Sequence, residues 1–418
     1  MLVAIYSLQV PGQLVNNQLE GSWQGQLMGL RIVFNITVND NQALQATLDS
    51  PDQGQMGIPM GEVNLDEDSI RIDAANINIL YTGRIISDSI MEGEWHQGGS
   101  NFTLDMQKKE EDIVLNRPQE PQPPYPYKEE EVSFPNTEHG FSLGGTLTLP
   151  DGEGPFTAAV LVTGSGSQNR DEELFGHKPF KVIADFLTRN GIAVLRYDDR
   201  GVGASGGNAA EANTADLTVD ARSAMDYLLK RSEIDPSKIG IIGHSEGGMI
   251  AFMLASSFKD IAYIVSLAGP GVDGKTILLD QSERIASLMG ASDSILKDNR
   301  AVMTGVYDIM IANESYPVWR EKTVEFTSMF YSEKLVGSYS EEEIERGKRN
   351  LLANFTEASY NWMRYFVMFD PAPLFPTIEC PVLALNGEKD CQVLAEPNIS
   401  AIKNGLTGVE NKLTLILP

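Results

Sequence analysis

The sequence predicts an α/β fold, a mostly parallel sheet with helices on both faces, preceded by a small all-β barrel or sandwich domain. Three observations support this prediction. Apolar runs alternate with amphipathic stretches over 132–418, as expected for buried parallel strands joined by helices. Residues 16–112 instead alternate apolar and polar side chains with a period of two, which is typical of antiparallel strands. The stretch 113–131 is rich in proline and predicts an extended linker.

The first domain is predicted from short alternating runs that are separated by turn signals. In one such run, Ile32, Phe34 and Ile36 fall on the same face of a strand. Two similar segments surround Trp23 and Trp95, and we expect them to be an early and a late strand of one barrel.

The start of the chain leaves two interpretations open. Residues 1–15 are apolar and break at Pro11 and Gly12, which resembles a signal-peptide remnant. The first basic residue is Arg31, however, so a frayed first strand is the alternative. A signal would indicate a periplasmic or secreted protein, and its absence a cytoplasmic one. No run of about 18 apolar residues predicts a transmembrane helix.

The charge balance limits the classes of partner. The chain has 32 Lys and Arg against 58 Asp and Glu, a net charge of −26. A surface this acidic argues against nucleic-acid binding, which needs cationic side chains for the phosphates. The sequence leaves the oligomeric state open.

The segment 239–248 carries the most informative motif. An apolar strand leads into Gly243-His244-Ser245-Glu246-Gly247, and an amphipathic helix follows. A serine at the tip of such a sharp turn needs very small residues two positions before and after it, so that strand and helix can pass closely. The helix N-terminus also brings the Glu246 N–H beside the serine.

Two further segments complete a candidate site. A glycine-rich loop follows the strand that ends near Thr163, and the N–H of Ser165 is the expected second oxyanion donor. The strand 382–385 leads to Asp390, which is the candidate acid, with Glu388 as the runner-up.

The stretch 132–418 resembles the α/β-hydrolase superfamily, and more narrowly bacterial esterases and hydrolases of the serine-aminopeptidase type. The resemblance rests on five segments in order: GSGSQNRDEE (164–173), LRYDDRGVGAS (195–205), IGIIGHSEGG (239–248), SLAGPG (266–271) and PVLALNGEKD (381–390). It implies that Ser245 is the nucleophile and Asp390 the acid, and that Ser165 and Glu246 form the oxyanion hole.

The catalytic histidine is missing from the expected place. In this fold the histidine follows the acid, but all four histidines, His96, His139, His177 and His244, precede Asp390. We expect the base to lie beyond residue 418. A base recruited from His177, or a degenerate non-catalytic scaffold, are the alternatives.

The sequence thus predicts a serine hydrolase that cleaves carboxylic esters, with a helical lid at about 272–370 and a small-molecule acyl ester or peptide as substrate. A serine peptidase of the same mechanism and a non-catalytic binding protein are the rivals. No metal or cofactor is expected. The segment 201–206 matches G-x-G-x-x-G, but a polar stretch follows it where a dinucleotide site needs a helix.

Overall fold

The computed structural model describes residues 16–39, 43–51, 55–74, 79–97, 100–109, 117–174, 176–288, 290–334, 341–353, 355–407, 409 and 412–418. The predicted signal remnant, 1–15, lies outside the described residues, so the location of the protein stays a prediction. The chain divides into two compact units. The first ends at Pro118 and includes Leu174–His177, and the second consists of Gln119–Glu173 and Lys178–Pro418.

Within its described residues, the first unit is a ten-stranded antiparallel sheet preceded by the short helix α1 (Asn16–Leu19). The strands are β1 (Gly21–Leu27), β2 (Leu30–Val38), β3 (Leu44–Ser50), β4 (Gln55–Pro59), β5 (Glu62–Asp66), β6 (Ser69–Ala74), β7 (Ile79–Ser87), β8 (Ile90–Gln97), β9 (Ser100–Thr103) and β10 (Met106–Lys109). Their order is β4-β3-β2-β1-β10-β8-β7-β6-β5, with β9 paired to β8. Trp23, Phe34, Tyr81 and Trp95 are buried in one core, so a single curved sheet agrees with the barrel prediction rather than with two stacked sheets.

The second unit is built on an eight-stranded mixed sheet. Its strands are β11 (Lys128–Asn136), β12 (Phe141–Leu149), β13 (Phe156–Val162), β14 (Ile192–Tyr197), β15 (Ile234–His244), β16 (Ile264–Leu267), β17 (Val382–Gly387) and β18 (Lys412–Leu417). The order is β11-β12-β14-β13-β15-β16-β17-β18. The pairs β11–β12 and β12–β14 are antiparallel, and the rest are parallel. This is the mostly parallel sheet that the sequence predicts.

The boundary between linker and sheet lies earlier than predicted. Strand β11 begins at Lys128, inside the stretch 113–131. The sequence pattern does not indicate the start of this strand, because residues 129–131 are three consecutive glutamates. In the fold these residues lie on an edge strand, and their carboxylates pair with arginines. Glu130 lies 3.0 Å from Arg231, for example. Edge strands commonly carry such charges.

Helices cover the sheet and form a separate insertion. Those directly after strands are α2 (Pro179–Arg189), α3 (Thr214–Leu228) and α4 (Glu246–Ser257). Between β16 and β17 come α5 (Gly274–Leu288), α6 (Asp293–Ala312), α7 (Tyr316–Lys334), α8 (Glu341–Ala353) and α9 (Glu357–Met368), and α10 (Ala395–Gly405) precedes β18.

The insertion α5–α9 occupies the region predicted to be a lid, and we call it the lid below. It has its own apolar core around the fully buried Trp319, with Val306, Met310 and Tyr360. None of the described helices is both long and apolar enough to cross a membrane.

Candidate active site

Ser245 lies at the turn between β15 and α4. Its backbone is in the left-handed region, with φ 51° and ψ −116°, which is a strained conformation for a residue with a side chain. The Ser245 N–H donates to the carbonyl of Leu267 at 2.8 Å, which holds the strained turn on the sheet. A Cβ atom on Gly247 would lie 2.1 Å from the carbonyl oxygen of Val162. One on Gly243 would lie 2.0 Å from the carbonyl oxygen of Gly247, so the spacing of small residues is a steric requirement.

The glycine-rich loop after β13 passes beside this turn. A Cβ atom on Gly164 would lie 3.3 Å from the Cβ of Ser245. The next residue is Ser165, whose N–H makes no hydrogen bond within the described chain; the same holds for the N–H of Glu246 at the start of α4. The two predicted oxyanion donors thus lie one on each loop that meets at Ser245, and no described residue accepts a hydrogen bond from either of them.

Glu172 links the two loops, and the sequence analysis did not single it out. Its Oε1 accepts hydrogen bonds from the N–H of Gly164 and from Nδ1 of His244, both at 2.7 Å. The side chain is nearly buried, and the backbone of Glu172 has a φ of 49°. One carboxylate oxygen thus ties the residue before Ser165 to the residue before Ser245.

The side chain of His244 therefore takes part in the contact between the two loops. Burial acts to lower the pKa of His244, but the hydrogen bond and charge of Glu172, with the charge of Asp390, raise it above its usual value. Glu172 is the middle one of three consecutive acidic residues, 171–173, and nothing in the sequence distinguishes it from its neighbours. Its position eight residues after Gly164 offered no local signal for this contact.

Asp390 lies in the loop after β17, and that loop fixes its orientation. Its Oδ1 accepts from the N–H groups of Gln392 at 2.8 Å and Val393 at 3.0 Å. Its Oδ2 has a long contact of 3.4 Å with Nδ2 of Asn386. The runner-up Glu388 has a side chain that is 54% exposed, and its nearest cation is Lys389 at 4.0 Å. The carboxylate of Asp390 is thus held by backbone amides, and its assignment as the acid stays a prediction.

The remaining histidines have partners of their own. Nε2 of His139 lies 3.6 Å from Asp216, and Nε2 of His96 lies 2.9 Å from Oγ1 of Thr82. The base expected after Asp390 stays a prediction.

The side chain of Glu246 joins the turn at Ser245, which we call the elbow, to the lid. It is 1% exposed, and its Oε1 accepts from Oγ1 of Thr214 at 2.6 Å and from Nε1 of Trp362 at 2.8 Å. Burial raises the pKa of Glu246 against these hydrogen bonds, which lower it. The sequence predicts a role for the Glu246 backbone, whereas the link through its carboxylate to Trp362 is visible only in the fold.

A cavity of about 440 Å³ lies between the Ser165 loop, the loop after β14 and helix α9. Its walls include Ser165, Asp199, Ala209, Ala212, Leu217 and Trp362.

The carboxylate of Asp199 already has two hydrogen bonds, accepting from Oγ1 of Thr163 at 2.8 Å and from the N–H of Gln168 at 2.9 Å. Burial raises the pKa of Asp199 to about 7, because an ionised carboxylate is poorly solvated there. Asp199 therefore supports the Ser165 loop from the cavity side.

A strained serine on a strand–helix turn beside a glycine-rich loop is the architecture of an α/β hydrolase. Residues 178–403, more than half of the chain, match the family described as "Serine aminopeptidase, S33". The chain belongs to this family. Ser245, Glu246 and Asp390 lie inside the matched range, while Ser165 and Glu172 precede it.

Named relatives match only part of the chain. Esterase EstD of Thermotoga maritima is 35% identical over 157 residues, which are 36% of this chain and 36% of that protein. The putative hydrolase YtaP of Bacillus subtilis is 30% identical over 146 residues, 31% of this chain and 48% of that protein. The Pyrococcus furiosus esterase Pf2001 is a similar solved structure, with 16% identity over 70% of this chain and 82% of that one and a TM-score of 0.44.

Proposed function

We propose that the protein is a serine hydrolase that cleaves carboxylic esters through an acyl-enzyme. The observation that carries the proposal is the strained Ser245 turn, where two loops meet and bring together the N–H groups of Ser165 and Glu246, neither of which has a hydrogen-bond acceptor among the described residues. Such paired donors stabilise the negative charge that develops on a carbonyl oxygen during attack. No metal or cofactor takes part in this mechanism.

The reaction proceeds in two steps, formation of the acyl-enzyme and its hydrolysis. Oγ of Ser245 bonds to the acyl carbon, its proton passes to a histidine base, and the ester C–O bond breaks as that proton moves to the leaving alcohol. The base then takes a proton from a water molecule whose oxygen bonds to the same carbon, and it returns this proton to Oγ as the bond to Oγ breaks, which gives the acid and free serine. Asp390 orients the base and stabilises its cation. We propose that this base follows Asp390 in the chain, as the resemblance implies.

The ester is favoured over the peptide by the name of the relative EstD, an esterase. The family description favours a serine aminopeptidase of the same mechanism, so that class is the second candidate. A non-catalytic scaffold is the third. All three take a small-molecule or short peptide partner. The first two share the reaction at Ser245 and differ in the bond that is cleaved, whereas the third forms no covalent bond at Ser245.

The test compares substrates that share a chromophore type. The full-length protein is assayed with p-nitrophenyl acetate and with aminoacyl p-nitroanilides, and Ser245→Ala is the first variant. We expect ester hydrolysis that falls at least about 10⁴-fold in Ser245→Ala, because the covalent step is lost. Faster cleavage of the anilide would favour the peptidase. An ester rate equal in both proteins, with no labelling of Ser245 by a fluorophosphonate, would overturn the proposal.

Asp390 and Glu388 provide a matched pair for the acid. Asp390→Asn should lower kcat by up to about 10⁴-fold with little change in KM, because an amide at this position favours the wrong histidine tautomer. Glu388→Gln, two residues away and exposed, should stay within about twofold. The reverse ranking would assign the acid to Glu388.

A further inference from the structure

The cavity beside the Ser165 loop has the size and lining of a ligand site. Its volume of about 440 Å³ is within the range of about 300–1,000 Å³ that is usual for small-molecule pockets. Ala209, Ala212 and Leu217 give it apolar walls on one side, and the indole of Trp362 forms part of the lid side. Ser165 lines the same cavity, so the pocket adjoins the loop that carries the proposed oxyanion donor.

The charged groups in this wall already have partners. Both oxygens of Asp199 accept hydrogen bonds from the loop that follows β13. Nε of Arg200 lies 2.6 Å from Asp220, and its Nη2 donates to the carbonyl of Asp216. A substrate ammonium or carboxylate entering the cavity would compete with partners that are already in place, whereas a neutral apolar group competes with none.

Trp362 is held in the wall by a buried hydrogen bond. Its Nε1 donates to Oε1 of Glu246 at 2.8 Å, and the same oxygen accepts from Thr214 on α3. The indole therefore has a fixed orientation, and its carboxylate partner belongs to the residue directly after Ser245. A wall fixed in this way limits the depth of the cavity.

We infer that this cavity binds the aliphatic acyl chain of the ester and that Trp362, oriented by Glu246, limits the length of that chain. The inference rests on the proposed function and specifies its substrate class. Trp362 is a specificity-determining residue, and Glu246 is a positioning residue through its side chain. The occupant is a neutral acyl chain, in contrast to the charged N-terminus that an aminopeptidase would have to bind.

The experiment uses p-nitrophenyl esters of acetate, butyrate, octanoate and dodecanoate, so that the leaving group is constant. In the full-length protein, Trp362→Ala should raise kcat/KM for the longer chains relative to acetate, by up to about fourfold for each methylene that gains room. Ala358→Leu, which adds volume on the lid helix where it lines the same cavity, should lower the octanoate rate and spare acetate. Tyr365→Ala lies on the same helix outside the cavity wall and should keep the wild-type profile.

Two variants of Glu246 test the positioning role. Glu246→Gln keeps an acceptor for Trp362 and should retain the wild-type chain-length profile. Glu246→Ala removes that acceptor and should shift the profile toward that of Trp362→Ala. A loss of folding alone would lower all esters in proportion, so the ratio of octanoate to acetate rates separates the two effects. Thermal melts of each variant establish which proteins are folded.

Each result supports or overturns a distinct statement. If Trp362→Ala and Trp362→Phe are folded and both keep the wild-type ratio of octanoate to acetate rates, the acyl-chain pocket lies elsewhere. Ser245-dependent acetate hydrolysis would still leave the proposed function standing. If the wild-type protein cleaves none of the esters, the proposed function itself fails. If wild type prefers aminoacyl anilides to every ester, the cavity does not bind an acyl chain.

Discussion

The elbow around Ser245 and the cavity beneath the lid are neighbours built in opposite ways. At the elbow, backbone packs on backbone: a single added carbon on Gly247 would meet the carbonyl of Val162 at 2.1 Å. In the cavity, side chains from three elements leave about 440 Å³ unfilled. One region has no room for an atom, and the other has room for a ligand.

This difference separates the reaction from the choice of substrate. The position of an attacking serine must be held to a fraction of an ångström, and rigid backbone contacts provide that. The wall of the cavity is formed by exchangeable side chains such as Ala209 and Trp362. Substitutions there can change the size of the pocket while the elbow keeps its geometry.

The largest expected effect tests the steric claim at the elbow. Gly247→Ala should lower the free energy of unfolding by about 3 kcal/mol or more, because its Cβ overlaps the backbone of β13. Chemical denaturation measures the loss. The matched control is Gly347→Ala on helix α8, where the nearest atom to a new Cβ is 3.6 Å away at the hydroxyl of Tyr331. This variant should be stabilised by up to about 1 kcal/mol, and equal stability of the two variants would contradict the steric account.

The next effect concerns Glu172, whose carboxylate joins the loop of Gly164 to the turn at Ser245. Glu172→Ala leaves the N–H of Gly164 without its acceptor, and we expect kcat/KM to fall about 10- to 100-fold because the adjacent oxyanion donor shifts. Glu172→Gln retains an acceptor and should recover most of this activity.

A second measurement on Glu172→Gln distinguishes electrostatics from packing. The pKa of His244, followed by NMR, should fall in this variant, because the charge of Glu172 is gone while burial and the charge of Asp390 remain. An unchanged pKa would show that the ion pair of Glu172 and His244 does not form in solution.

The smallest effect for each step of the measurement, here one unit of pH, is expected at Asp199, which lies between the Ser165 loop and the cavity. Because burial raises its folded-state pKa from 3.8 to about 7, the folded protein retains a proton there that the unfolded chain has already lost. Stability should therefore decrease as the pH rises from about 4 to about 7, by at most about 1.4 kcal/mol per pH unit from this group. In Asp199→Asn this slope should be shallower, as measured by unfolding at pH 5, 6 and 7. An identical slope in both proteins would mean that Asp199 is already ionised at pH 5.

The parts of the site that the sequence predicts correctly are local in the chain. The turn at Ser245, with glycines two residues before and after it, follows from a five-residue motif and its flanking periodicity. The lid region follows from a helix-rich stretch between two strands, and the parallel sheet from apolar runs at regular intervals.

What the sequence does not predict depends on contacts between distant residues. Glu172 and His244 are 72 residues apart, and Glu246 and Trp362 are 116 apart. Each of these glutamates is one of many in the chain, so the sequence around it does not indicate which distant residue it contacts. Only the first four residues of strand β11, 128–131, fall within the predicted linker, because their charged side chains do not show the alternation of a strand.

The hydrogen bonds of Glu246 have a consequence for how this enzyme could diversify. The residue offers its N–H beside the nucleophile and, through its carboxylate, holds the indole that bounds the cavity. In the proposed mechanism, position 246 serves both the oxyanion hole and the orientation of Trp362, so a substitution that removes the carboxylate disturbs the cavity wall directly beside the nucleophile. Selection for new substrates would accordingly proceed through Trp362 and the cavity alanines, which can vary separately from the rate, and would leave Glu246 as one of the last residues to change.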